Sequence, residues 1–90
     1  MKMEYPKEIK NRLKRAEGQV RGILRMIDEN QHCKDVVSQL SAVRNALDKA
    51  IAQIVATNLQ QCILEEQAKG NSSDSNMYVQ EAIELLIKSR

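Results

Sequence analysis

The chain has 90 residues, of which only two are aromatic, and its 14 Lys and Arg nearly balance 12 Asp and Glu. That length holds one small domain, residues 1–90, and excludes a conventional two-lobed enzyme built around a cleft. With little surface to bury and no Phe or Trp to fill a core, the chain is expected to self-associate.

The net charge of +2 hides an asymmetry: residues 1–25 hold eight cations against three acids, a local +5, and the remainder sums to −3. A basic first segment on an acidic body suits contact with a polyanion through one face; a Lys/Arg-rich solvated helix is the alternative from charge alone. No apolar run approaches the ~20 residues that span a bilayer, and the start lacks the apolar stretch of a signal peptide. A cytoplasmic chain with no membrane partner is expected. In that reducing compartment two cysteines serve as buried filler, metal ligands or redox groups sooner than as a structural staple.

In chain order, Pro6 marks a helix start, and Ile9, Leu13, Ala16, Val20, Ile23, Leu24 and Ile27 recur at helical spacing, so the first helix covers about residues 6–29. Glu17 and Arg21 are spaced to pair on its exposed side, and Asn30 suits a left-handed cap. A second helix opens near Cys33 or Lys34 and meets no Gly or Pro before Gly70, so nothing stops it before about Gln67. Its stripes, Val36–Leu40–Val43–Leu47–Ala50–Ile54 and Val37–Ile51–Val55–Leu59–Ile63, make it apolar on more than one side, as a helix packed on the first helix and on another copy requires. The run KGNSSDSN from Lys69 to Asn76 reads as a loop with caps among its serines and Asp74. A third helix carries Met77, Val79, Ala82, Ile83, Leu85, Leu86 and Ile87, with Lys88 and Arg90 suited to its C-terminus. The pattern is all-α, three helices per chain.

Cys33 and Cys62 stand 29 residues apart on the second helix. At 1.5 Å of rise per residue that is roughly 43 Å, too far to share a bond or a metal within one chain. Two antiparallel copies of this helix would bring Cys33 of one against Cys62 of the other if the two-fold axis crossed near Leu47 and Asp48, the centre of the apolar stripe; an isologous dimer then has two such sites. Cys33, at a helix N-terminus beside His32 and Lys34, sits where amides and positive charge favour the reactive thiolate. Cys62 has no such help. Both thiols as small buried hydrophobes is the competing reading. His32 is the single imidazole, adjacent in sequence to Cys33; it reads as an exposed residue or a modulator of that thiol, and no metal site or cofactor is expected.

The segments RLKRAEGQVRGILRM, from Arg12 to Met26, and HCKDVVSQLSAVRNALDKA, from His32 to Ala50, resemble the CsoR-type family of small helical bacterial repressors, and the likeness runs over essentially the whole chain. The resemblance implies an antiparallel dimer of long second helices, two dimers joined in a flat tetramer, and binding of double-stranded operator DNA that an inducer relieves. Copper-sensing members place a His four residues before the second Cys, where this chain has Asn58, a poor ligand for a soft ion. Two thiols without the imidazole resemble the persulfide-sensing branch, the CsoR-like sulfurtransferase repressors, in which the paired cysteines are joined by di- to tetrasulfide bridges. The sensing thiols are then Cys33 and Cys62, with Asn58 and His32 lining the site. For DNA, Arg12 and Arg15 match positions the family uses, while Lys14, Arg21, Arg44 and Lys49 are chosen by charge and place in the motifs.

Four other functions compete. A copper(I)-responsive repressor would use the same two thiolates. Formaldehyde sensing by Cys33 leaves the retained Cys62 unexplained. A sulfur-carrier enzyme lacks any legible base or oxyanion hole. A helical scaffold without DNA binding leaves the basic helix unused.

Overall fold

The computed structural model describes residues 4–70 and 75–89, and among them there are three α-helices and no strand: α1 (Lys7–Asp28), α2 (Cys33–Ala68) and α3 (Ser75–Lys88). The proposed caps Ser72, Ser73 and Asp74, and the terminal Arg90, lie outside the described residues.

Each boundary has a local cause. Pro6, at φ −58° and ψ 144°, is the residue before α1; its carbonyl accepts the Ile9 N–H at 3.1 Å, and Glu8 places a negative charge in the first turn, where the helix dipole favours it. The far end closes in a Schellman motif. Asn30 takes φ 56°, its N–H donates to the Ile27 carbonyl at 3.0 Å, and the Gln31 N–H reaches back to Met26 at 3.0 Å. Helix α2 runs 36 residues and ends where Gly70, at φ 80°, donates to the Gln67 carbonyl. A left-handed residue costs glycine nothing, which is why the helix stops there. Lys88 lies in the last turn of α3, and the Ser89 hydroxyl donates to the Leu86 carbonyl at 2.9 Å.

The chain groups into two compact units. The first, Pro6–Ala50, holds α1 and the opening half of α2. Its buried residues are Ile9, Ala16 and Ile23 on α1, seven apart and so on one side, with Val43 and Ala50 on α2. Burying an isoleucine contributes about 1.5–3 kcal/mol, so Ile9 and Ile23 dominate this core. Leu13, Val20, Leu24 and Ile27, the rest of the α1 stripe, remain exposed. The second unit holds the closing half of α2, α3 and the segment before Pro6. Its buried residues are Val55, Cys62 and Ala82, all small. No helix is long and apolar enough to cross a membrane among the described residues.

Candidate functional site

Cys33 is the first residue of α2 and is exposed. His32 immediately precedes it and caps the helix with its side chain: Nδ1 accepts the Lys34 backbone N–H at 3.1 Å, while the His32 carbonyl accepts the N–H groups of Asp35 and Val36. The helix therefore satisfies one of its orphan donors with the residue beside the exposed thiol. The position directly before a helix start was the signal for this role, masked because Ser, Thr, Asp and Asn are the usual caps.

Cys62 lies in the second unit and differs in every respect. It is 7% exposed. Its thiol donates to Asn58 Oδ1 one turn earlier, a weak 4.0 Å contact. Burial, and then the charges of Glu65, Glu81 and Glu66, push the thiol above its ordinary range. Glu65 and Glu66 come from α2 itself and Glu81 from α3. Glu66 in turn accepts the Tyr78 hydroxyl at 3.1 Å. The structure thus joins Asn58 to Cys62 and His32 to the turn that carries Cys33, while α2, unbroken, separates the cysteines by 29 residues.

The candidate DNA contacts Arg12, Lys14, Arg15, Arg21, Arg44 and Lys49 all fall in the unit Pro6–Ala50. Lys14, Arg15, Arg21, Arg44 and Lys49 are exposed, whereas Arg12 is half-buried, with a shielded Nε that finds no partner among the described residues. Arg21 pairs with Glu17 at 3.7 Å, both largely in solvent. At 100° per residue the basic helix does not present one face: Lys14 and Arg21, seven apart, share a side, and Arg12 and Arg15 lie further round, Arg15 about 100° from Lys14.

A family model described as a metal-sensitive transcriptional repressor matches residues 5–88. The chain belongs to that family. It is 46% identical over 65 residues to the uncharacterized protein YrkD of Bacillus subtilis (strain 168), covering 72% of this chain and all of YrkD. It is 46% identical over 59 residues to the copper-sensing transcriptional repressor RicR of Mycobacterium tuberculosis, covering 66% of this chain and 62% of RicR. The copper-sensing transcriptional repressor CsoR of Bacillus subtilis is 34% identical over 68 residues, 76% of this chain and 67% of CsoR. Among solved structures, the nickel-responsive transcriptional regulator InrS is similar at a TM-score of 0.76 and 34% identity, over 96% of this chain and 97% of InrS. The family is one of transcriptional repressors, not enzymes, and a repressor binds DNA and works as an oligomer.

Whether the residues present fit a metal is a matter of donors. Among the described residues no group of three or more His, Cys, Asp and Glu could hold an ion. Beside Cys62 the helix offers the amide of Asn58, whose oxygen takes the thiol's hydrogen bond and is a poor ligand for a soft cation. This part of α2 does not fit a three-coordinate soft-metal site.

Proposed function

We propose that the chain represses transcription by binding double-stranded operator DNA as a dimer of dimers, and that its inducer is sulfane sulfur from a persulfide or polysulfide, which bridges Cys33 of one protomer to Cys62 of its partner. The observation that carries this reading is Asn58, 4.0 Å from the Cys62 thiol, where the copper-sensing pattern has an imidazole. The exposed Cys33 attacks first: its thiolate takes the outer sulfur of a persulfide RS–SH, the S–S bond breaks, RS⁻ leaves and is protonated, and Cys33 becomes a persulfide. The Cys62 thiolate of the partner then attacks the Cys33 sulfur, HS⁻ leaves, and a disulfide remains. Two thiols are oxidised while the persulfide is reduced to a thiol and hydrogen sulfide. A Cys33 that carries one more sulfur, as Cys33–S–S–SH, leaves a trisulfide when Cys62 attacks the middle sulfur and HS⁻ again departs, spanning cysteine sulfurs farther apart than the ~2 Å of a disulfide. The bridge favours a tetramer conformation in which the cations Arg12, Lys14, Arg15, Arg21, Arg44 and Lys49 no longer match the phosphates of the duplex.

The copper-sensing relatives RicR and CsoR favour a second reading, a copper(I)-responsive repressor that uses the same two thiolates. One experiment separates the two. Release from the native operator is measured under polysulfide, peroxide and copper(I), for the natural chain and for Cys33→Ser and Cys62→Ser, with mass spectrometry of the products. Release by polysulfide with an intersubunit crosslink, lost in either variant, is the expected result. Release by copper(I), retained against a strong chelator and without a crosslink, would overturn it.

A further inference from the structure

The side chains of α3 divide sharply. From Asn76 to Lys88 every one is exposed except Tyr78, half-buried, and Ala82, 9% exposed. These two stand four apart, hence on one side of the helix. A row on α2 has the same spacing, Asn58, Cys62 and Glu66: the Tyr78 hydroxyl donates to Glu66 at 3.1 Å, one turn beyond Cys62, and the charge of Glu81, beside Ala82, helps to raise the Cys62 thiol. Besides Ala82 and Tyr78, only part-covered side chains such as Val79 and Leu86, 39% and 40% exposed, attach the helix. A helix with so few fully buried side chains opens locally at less cost than a core element, and a hydrogen bond adds to that cost. In that row lies Cys62, 7% exposed, a thiol that a sulfur donor or a partner's thiol reaches poorly as it stands.

We propose that α3 is a cover over Cys62 and that Tyr78, through Glu66, is the positioning residue that holds it closed. This rests on the sulfur-bridging function proposed above and gives it an order: the exposed Cys33 is charged with sulfur first, and Cys62 enters the bridge only when α3 lifts. It also gives the bridge a way to be felt, because a Cys62 held in an intersubunit bond keeps α3 from closing. The exposed apolar residues of α3, Met77, Ile83 and Ile87 among them, then move with the cover.

The test uses the full chain carrying Cys33→Ser, in which no bridge forms, and follows alkylation of Cys62 by iodoacetamide under native conditions across a range of pH. Tyr78→Phe, which removes only the donor, is expected to raise the labelling rate about threefold to tenfold, by a similar factor at each pH. On the alkaline plateau, where the lost Glu66 charge no longer changes the thiolate fraction, Glu66→Ala should do the same, while Glu66→Gln, whose amide oxygen still accepts, should keep labelling slow. An unchanged rate in Tyr78→Phe, with circular dichroism showing the helices intact, overturns the cover; so does a rise in Glu66→Gln equal to that in Glu66→Ala. Crosslinking by polysulfide in the chain that keeps both cysteines is read separately. If crosslinking holds while the labelling result fails, the cover is wrong and the inducer reading stands; the reverse outcome removes the inducer reading and leaves α3 as a cover.

Discussion

The two compact units of this chain each hold one cysteine, and they treat it in opposite ways. Pro6–Ala50 carries ten Lys and Arg against six Asp and Glu, buries two isoleucines, and exposes its thiol at a helix start capped by His32. From Ile51 onward there are three cations against five acids, the buried residues are Val55, Cys62 and Ala82, and the thiol is covered and surrounded by carboxylates. The difference teaches that the thiols are not interchangeable. One stands exposed at a helix start and the other is buried, and the unit that holds the exposed one is the basic unit.

Packing offers the harshest test of that contrast. Ile23→Ala should cost about 3 kcal/mol of stability in urea unfolding at fixed protein concentration, through lost transfer energy and the cavity left behind. Ala82→Gly, which removes one methyl from the lightly buried α3, should cost about 1 kcal/mol or less, most of it helix propensity. Equal losses would erase the distinction between a well-packed unit and a lightly attached one.

The charge contrast comes next. Arg15→Ala should lower operator affinity about tenfold and reduce the slope of log affinity against log salt by about 0.9, the value for one phosphate contact. Lys88→Ala, at the end of α3, should change neither. Because Lys14 lies about 100° around α1 from Arg15, a gel-shift salt series on Lys14→Ala also tells which side meets the duplex.

Smaller still is the cap. His32→Ala should destabilise by about 1 kcal/mol and speed amide exchange at Lys34, and His32→Asn, a better N-cap, should restore both. A chain indifferent to His32→Ala would reduce the residue to a bystander of Cys33.

These residues also show how far the sequence could be read. The three helices were legible because Pro6, Asn30 and Gly70 punctuate runs of helical period, and Asn30 adopts the left-handed conformation expected of it. The Glu17–Arg21 pair was legible for the same reason, being a matter of spacing on one helix. Burial was only half legible. The α1 stripe is seven residues wide, but one chain buries only Ile9, Ala16 and Ile23, because a single neighbouring helix covers a narrower arc than the stripe presents. Around Cys62, Asn58 stood out as a departure from the motif, while Glu65 and Glu66 went unremarked although they lie on the same helix. Tyr78 and Glu81 did not stand out, since local periodicity says nothing about which turn of a later helix docks on which turn of an earlier one.

That α3 contribution sets the finest prediction. Cys62 favours its protonated form when folded, so its alkylation midpoint should lie above the ~8.5 of an ordinary thiol. The sign follows from linkage. A thiol raised on folding contributes stability that is fully present below its unfolded value and is lost as pH rises through the folded one, so unfolding free energy should fall on the alkaline side and Cys62→Ala should flatten that fall. Glu81→Gln removes one of the three named charges and should lower the midpoint while leaving the plateau rate in place, because burial is the largest cause and stays. Glu81 is exposed, so its influence should also shrink as salt is added. A midpoint that ignores both Glu81→Gln and salt would mean that burial alone separates Cys62 from Cys33.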